Sequence, residues 1–85
     1  MKQIAILIIG EYDCYDAYTR HENETHSVDE WRKIYENENC YTKVYRFDTG
    51  EELAAFLNGV EAVDDFISGD HYTAYVQSNR ITDNE

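Results

Sequence analysis

The sequence predicts a small α/β domain built on a three-stranded, mostly parallel sheet of strand order 2-1-3, with the elements running β-α-β-α-β. Three observations predict it. Ile4 to Ile9 is an unbroken apolar run, mostly β-branched, ending at Gly10. A strand with one wet face would alternate, so this one reads as buried on both faces and central. Two further stretches, Cys40–Phe47 and His71–Ser78, have strand composition. Between the strands lie segments with helical periodicity and helix-start signals, and right-handed crossovers through such helices give parallel strands. At 85 residues the chain makes one domain. A chain this short buries only roughly 60% of its unfolded surface.

The segment after the first strand, Glu11 to His26, is poor in apolar residues. Asp13 is the expected cap of a short helix, with Asp16 three residues on, a weak capping box. Tyr12, Tyr15 and Tyr18 would then lie close to one face. Arg20 to His26 reads as loop. Ser27 and Glu30 form a full capping box, and the helix they open runs roughly to Glu38. Val28, Trp31, Ile34 and Tyr35 make its buried stripe.

Cys40–Phe47 is interrupted by Lys43 and Arg46 and is expected at a sheet edge. Such an edge is also a route to a homodimer. Thr49 with Glu52 opens the next helix. Leu53, Phe56, Leu57 and Val60 repeat at helical spacing. Asn58-Gly59 is a natural C-cap, after which a second short helix would run to Ser68. One helix passing through Gly59 is the alternative, at about 1 kcal/mol for the glycine. The tail is expected to fray from residue 79 onward. The expected core is Ile4, Ile6, Leu7, Ile8, Trp31, Val44, Leu53, Phe56 and Leu57.

Charge is the strongest departure from the ordinary. The net charge is −11, from 18 acids against 7 bases. Direct binding to nucleic acid or to an anionic membrane is disfavoured, and a basic protein surface is favoured. Between Asp48 and Asp70 the chain has 7 acids and no lysine or arginine. Eight tyrosines are interleaved with the carboxylates. Tyrosine and carboxylate together suit an interface that faces arginine and lysine. The expected partner-binding residues are Glu11, Asp13, Tyr15, Asp16 and Tyr18, at the end of the first strand, with Asp64, Asp65 and Asp70 as a second patch. The bland reading makes half the tyrosines core residues and the acids a solvated surface.

Signatures of catalysis are sparse. Glu11, Asp13 and Asp16 could hold magnesium or manganese if a turn gathered them. Cys14 with His21 or His26 could form a nucleophile and base. These two options define the alternative function, a small metal- or cysteine-dependent enzyme with its site after the first strand. The His21-to-His26 stretch misses the metalloprotease motif, because its histidines are five apart rather than four. Gly10 stands alone, without the glycines of a phosphate-binding loop. No cofactor is expected. Cys14 and Cys40 fit no zinc or redox spacing, and the first apolar run is too short for a membrane span. The expectation is a cytoplasmic protein with both thiols reduced.

The small, acidic, proline-free chain, with its apolar strand followed by Gly10-Glu11-Tyr12-Asp13-Cys14-Tyr15, resembles small acidic proteins of bacteriophages and mobile elements. Some phage proteins of this size inhibit host defence nucleases, several as acidic mimics of DNA. The resemblance implies an inhibitor that blocks a basic, nucleic-acid-binding surface, and it carries no catalytic residue.

Overall fold

The computed structural model describes residues 3–66 and 72–82, with side chains up to residue 62 in the first segment and throughout the second. The elements are β1 (Gln3–Gly10), α1 (Tyr12–Arg20), α2 (Val28–Glu36), β2 (Tyr41–Phe47), α3 (Gly50–Phe66) and β3 (Tyr72–Gln77), followed by one 3-10 turn at Ser78–Arg80. The sheet order is β2-β1-β3, with the apolar strand in the centre as expected.

Strand direction corrects the sequence reading. The sheet is antiparallel throughout, not mostly parallel. Ile9 faces Tyr41 at one end of the β1–β2 ladder and Gln3 faces Phe47 at the other. The physical reason is a count of passes. Two helices, α1 and α2, separate β1 from β2. The first carries the chain back along the sheet and the second returns it, so β2 starts beside the end of β1. Only α3 is a single-helix crossover. It joins β2 to β3, which run parallel to each other with β1 between them.

β1 is sandwiched between two helical layers. Ile4, Ile6 and Ile8 are fully buried against Cys14 and Ala17 of α1 and Val28, Trp31 and Tyr35 of α2. On the opposite face Ala5 is fully buried against Leu53 and Leu57 of α3. Each buried isoleucine contributes about 1.5–3 kcal/mol. One helix covers less of a sheet than two. Accordingly Leu7, whose partner Tyr75 packs in the α3 layer, is only half-buried, and so is Phe56; Val44, on the two-helix face, is half-buried because β2 is an edge strand. These three depart from the expected full burial.

Both strong helix starts form as read. Ser27 Oγ accepts from the Glu30 N–H while a Glu30 carboxylate oxygen accepts from the Ser27 N–H. Thr49 and Glu52 do the same for α3. The expected stop at Asn58-Gly59 does not occur, and α3 continues as one helix to Phe66. Gly59 keeps an ordinary negative φ. Past it, Glu61 accepts a 2.8 Å hydrogen bond from the Tyr75 hydroxyl, which ties the second half of α3 to β3. That contact and the continued backbone ladder outweigh a glycine cost of about 1 kcal/mol.

The chain beyond β3 is docked rather than frayed as far as residue 82. Ile81 is buried, bridges to His26, and is flanked by backbone hydrogen bonds from His26 to Arg80 and from Thr82 to His26. The indole N–H of Trp31 donates to the Arg80 carbonyl at 2.8 Å. Ser78 closes the other end of β1, its hydroxyl bonding both the Ile4 N–H and the Ile4 carbonyl.

Candidate functional site

The end of β1 is shaped by one close approach. A Cβ on Gly10 would stand 2.5 Å from Cys14 Cβ and 3.0 Å from its sulfur. Only glycine lets the first turn of α1 fold this tightly over the strand end. Glu11 is the N-cap, in extended backbone, and its carbonyl accepts from the Cys14 and Tyr15 N–H groups. Its side chain makes no cap bond. The cap is therefore Glu11 and not Asp13, which lies in the first turn, where a carboxylate complements the helix dipole.

Cys14 is joined to Cys40 by a disulfide with a Cα–Cα distance of 5.4 Å. This overturns the expectation of two reduced thiols. The thiol that a cysteine-dependent enzyme would use is bonded and only 3% exposed. His21 and His26 do not approach it as a base. Their ring nitrogens bracket one Glu24 carboxylate oxygen, at 2.9 and 2.6 Å. Those two hydrogen bonds, His26 first, hold the Glu24 carboxyl below the usual range.

On the far side of the disulfide, Asn39 adopts φ 62°, a left-handed conformation that asparagine tolerates better than most residues. It turns the chain from α2 into β2. Between these two edges lies a cleft of about 510 Å³. Glu11, Asp13 and Glu38 line it with Asn39 and Tyr41, beside Gly10 and the disulfide. Among the described residues no group of three or more acids, histidines or cysteines could hold a metal ion. Of the carboxylates expected to gather around magnesium, Glu11 and Asp13 line the cleft, and Asp16 is paired with Arg20 instead.

The predicted partner-binding residues divide. Glu11, Asp13, Tyr15 and Asp16 are exposed together at this end of the molecule. Asp16 is paired with Arg20 at 2.9 Å, and Arg20 also reaches Glu38. Glu11 and Asp13 make no side-chain hydrogen bond or ion pair among the described residues. Tyr18 does not join them. It is half-buried, its hydroxyl donates to the Tyr75 carbonyl, and the Arg80 guanidinium lies 6.0 Å from its ring. The side chains of Asp64 and Asp65, and all of Asp70, lie outside the described residues.

Two residues absent from the expected set complete the surface. Tyr72 opens β3 opposite Gly10. Its ring is 5.0 Å from that of Tyr15 and 6.4 Å from that of Tyr12. All three are substantially exposed, at 66% for Tyr12, 46% for Tyr15 and 41% for Tyr72. An antiparallel β3 is what brings Tyr72 here. In a parallel sheet that strand would begin at the opposite end.

Among the described residues no helix is long and apolar enough to cross a membrane. Comparison with known proteins finds no matching family model, no similar curated protein and no similar solved structure.

Proposed function

We propose that this protein is a non-enzymatic binding protein that occupies and blocks a basic surface of a partner protein, using the acidic, tyrosine-rich end of its sheet. One observation carries the reading. Three exposed tyrosines, with the Tyr72 ring against those of Tyr12 and Tyr15, lie at the same end as the unpaired carboxylates of Glu11 and Asp13, in a chain of net charge −11. Tyrosine is enriched in protein interfaces, because its ring supplies contact area while its hydroxyl stays hydrogen-bonded. Unpaired carboxylates beside it steer a basic partner and penalise an acidic one.

A nucleic-acid-binding surface is the preferred target, since spaced carboxylates can stand in for phosphates. This matches the resemblance to small phage proteins that act against host defence. Asp64, Asp65 and Asp70 are proposed as further contact residues, and an edge strand, β2 or β3, offers the backbone for a homodimer. Among the described residues both cysteines are joined in the disulfide and no metal-binding group of side chains is formed, so the binding reading is preferred to the enzymatic alternative.

The test is to identify the partner and measure its binding to nucleic acid with and without this protein. The reading expects competition that weakens as salt rises. A partner that binds through an acidic or uncharged face, with no salt dependence, contradicts it.

A further inference from the structure

We infer that the corner formed by Tyr12, Tyr15 and Tyr72 is a receptor for arginine side chains, which it takes in preference to lysine of equal charge. The inference rests on the proposed function and names the chemistry of the partner's anchor. The rings of Tyr12 and Tyr72 meet edge-on at 73°, with centroids 6.4 Å apart, and both residues stay exposed. Tyr15 lies tilted by 31° against Tyr72, with centroids 5.0 Å apart, and adds a third exposed ring.

No cation of the chain fills this corner among the described residues. Lys43 stands over Tyr45, and Arg80 stands over Tyr18 and Trp31. Arg20, on the same helix as Tyr12 and Tyr15, is held by Asp16 and Glu38. The corner therefore has aromatic faces without a cation, and Glu11 and Asp13, on either side of Tyr12 in sequence, are carboxylates without a base. A guanidinium answers both. Its plane stacks on a ring while its edge N–H groups reach a carboxylate. An ammonium ion is a compact, strongly hydrated point charge and gains less from the ring face.

The experiment compares penta-arginine with penta-lysine, two peptides of equal charge, by calorimetric titration at low ionic strength. The wild-type protein should bind penta-arginine about two- to fivefold more tightly, the factor one exposed cation–π contact supplies. In Tyr72→Leu the preference should vanish while attraction to both peptides persists. Glu11→Gln with Asp13→Asn should weaken both. Tyr12→Leu, at the most exposed of the three sites, replaces Tyr72→Leu if that variant does not fold. Equal affinities in the wild type, or a preference that survives removal of the ring, overturn the arginine receptor and leave the basic-partner reading standing. Failure of both peptides to bind overturns that reading and the inference with it.

Discussion

Reduction of the Cys14–Cys40 disulfide is the perturbation whose size follows most directly from the structure. The bond joins residues 26 apart in sequence. In the chain-entropy account, opening a loop of that length restores freedom to the unfolded chain equivalent to about 3.5 kcal/mol at 25 °C. A domain of this size shifts its melting temperature by about 4–8 °C per kcal/mol, so reduction should lower Tm by about 14–28 °C. The measurement is thermal unfolding followed by circular dichroism, with and without a thiol reductant. A thiol assay should find no reactive sulfhydryl before reduction and both cysteines after it. The Cys14→Ala/Cys40→Ala variant should melt near the reduced wild type and ignore the reductant. A shift under about 4 °C, equivalent to about 1 kcal/mol, would refute the reasoning, as would free thiols in the untreated protein.

Other consequences are smaller. Gly10→Ala places a methyl group 2.5 Å from Cys14 Cβ. It should destabilise by about 1–3 kcal/mol, less about 0.4–1 kcal/mol gained by stiffening the unfolded chain; a chemical denaturation curve unchanged from wild type would show that the close approach is relieved without strain. Tyr35 is fully buried, and its hydroxyl has no hydrogen-bond partner among the described residues. Tyr35→Phe should therefore match or slightly exceed wild-type stability at neutral pH, and a loss above about 2 kcal/mol would mean the hydroxyl has a partner. Burial also pushes the Tyr35 phenol up to about 12. The unfolded chain then releases this proton from about pH 10 while the folded one keeps it, so stability falls between pH 10 and 12, and Tyr35→Phe should lose less across that window. Finally, 18 acids stand against 7 bases, so added sodium chloride should raise Tm by screening their repulsion over a Debye length of about 10 Å at 0.1 M; a flat or falling Tm would show the acids to be locally compensated.

Much of the scaffold was legible in the sequence because it rests on local signals. The unbroken run from Ile4 to Ile9 marks a strand covered on both faces. The Ser27–Glu30 and Thr49–Glu52 boxes mark helix starts, because their hydrogen bonds span only three residues. The central place of β1 followed from its apolarity. Strand direction was not legible, and the cause is α1. Its only buried residues are Cys14 and Ala17, both small, so it carries no large apolar stripe. Counted as a loop with part of a turn, it leaves one crossover helix and a parallel sheet. Counted as a full pass, it makes the sheet antiparallel.

The candidate site inherited that error. Glu11, Asp13, Tyr15 and Asp16 were nominated because they follow the strand directly, and all four are exposed at that end. Tyr72 was missed because its position depends on the direction of β3. Tyr18 was included on helical spacing alone, which does not reveal that its ring turns toward Arg80 and Tyr75. The disulfide was equally hidden. A pair of cysteines 26 apart fits no motif, and only the return of the chain through α2 and the turn at Asn39 brings Cys40 beside Cys14. Gly10, read from the sequence only as the end of the strand, is where the close packing shows in the structure.

The central claim is that the acidic, tyrosine-bearing end of the sheet contacts a basic partner. The most direct measurement is the association and dissociation rates of the identified partner with wild type, with Asp13→Lys/Asp16→Lys, and with Tyr15→Ala. Reversing charge should slow association more than it speeds dissociation, because steering acts before contact. Removing the Tyr15 ring should act mainly on dissociation, as loss of a buried anchor does. Rates unchanged in both variants, with the partner still bound, would place the interface elsewhere on the molecule and contradict the account.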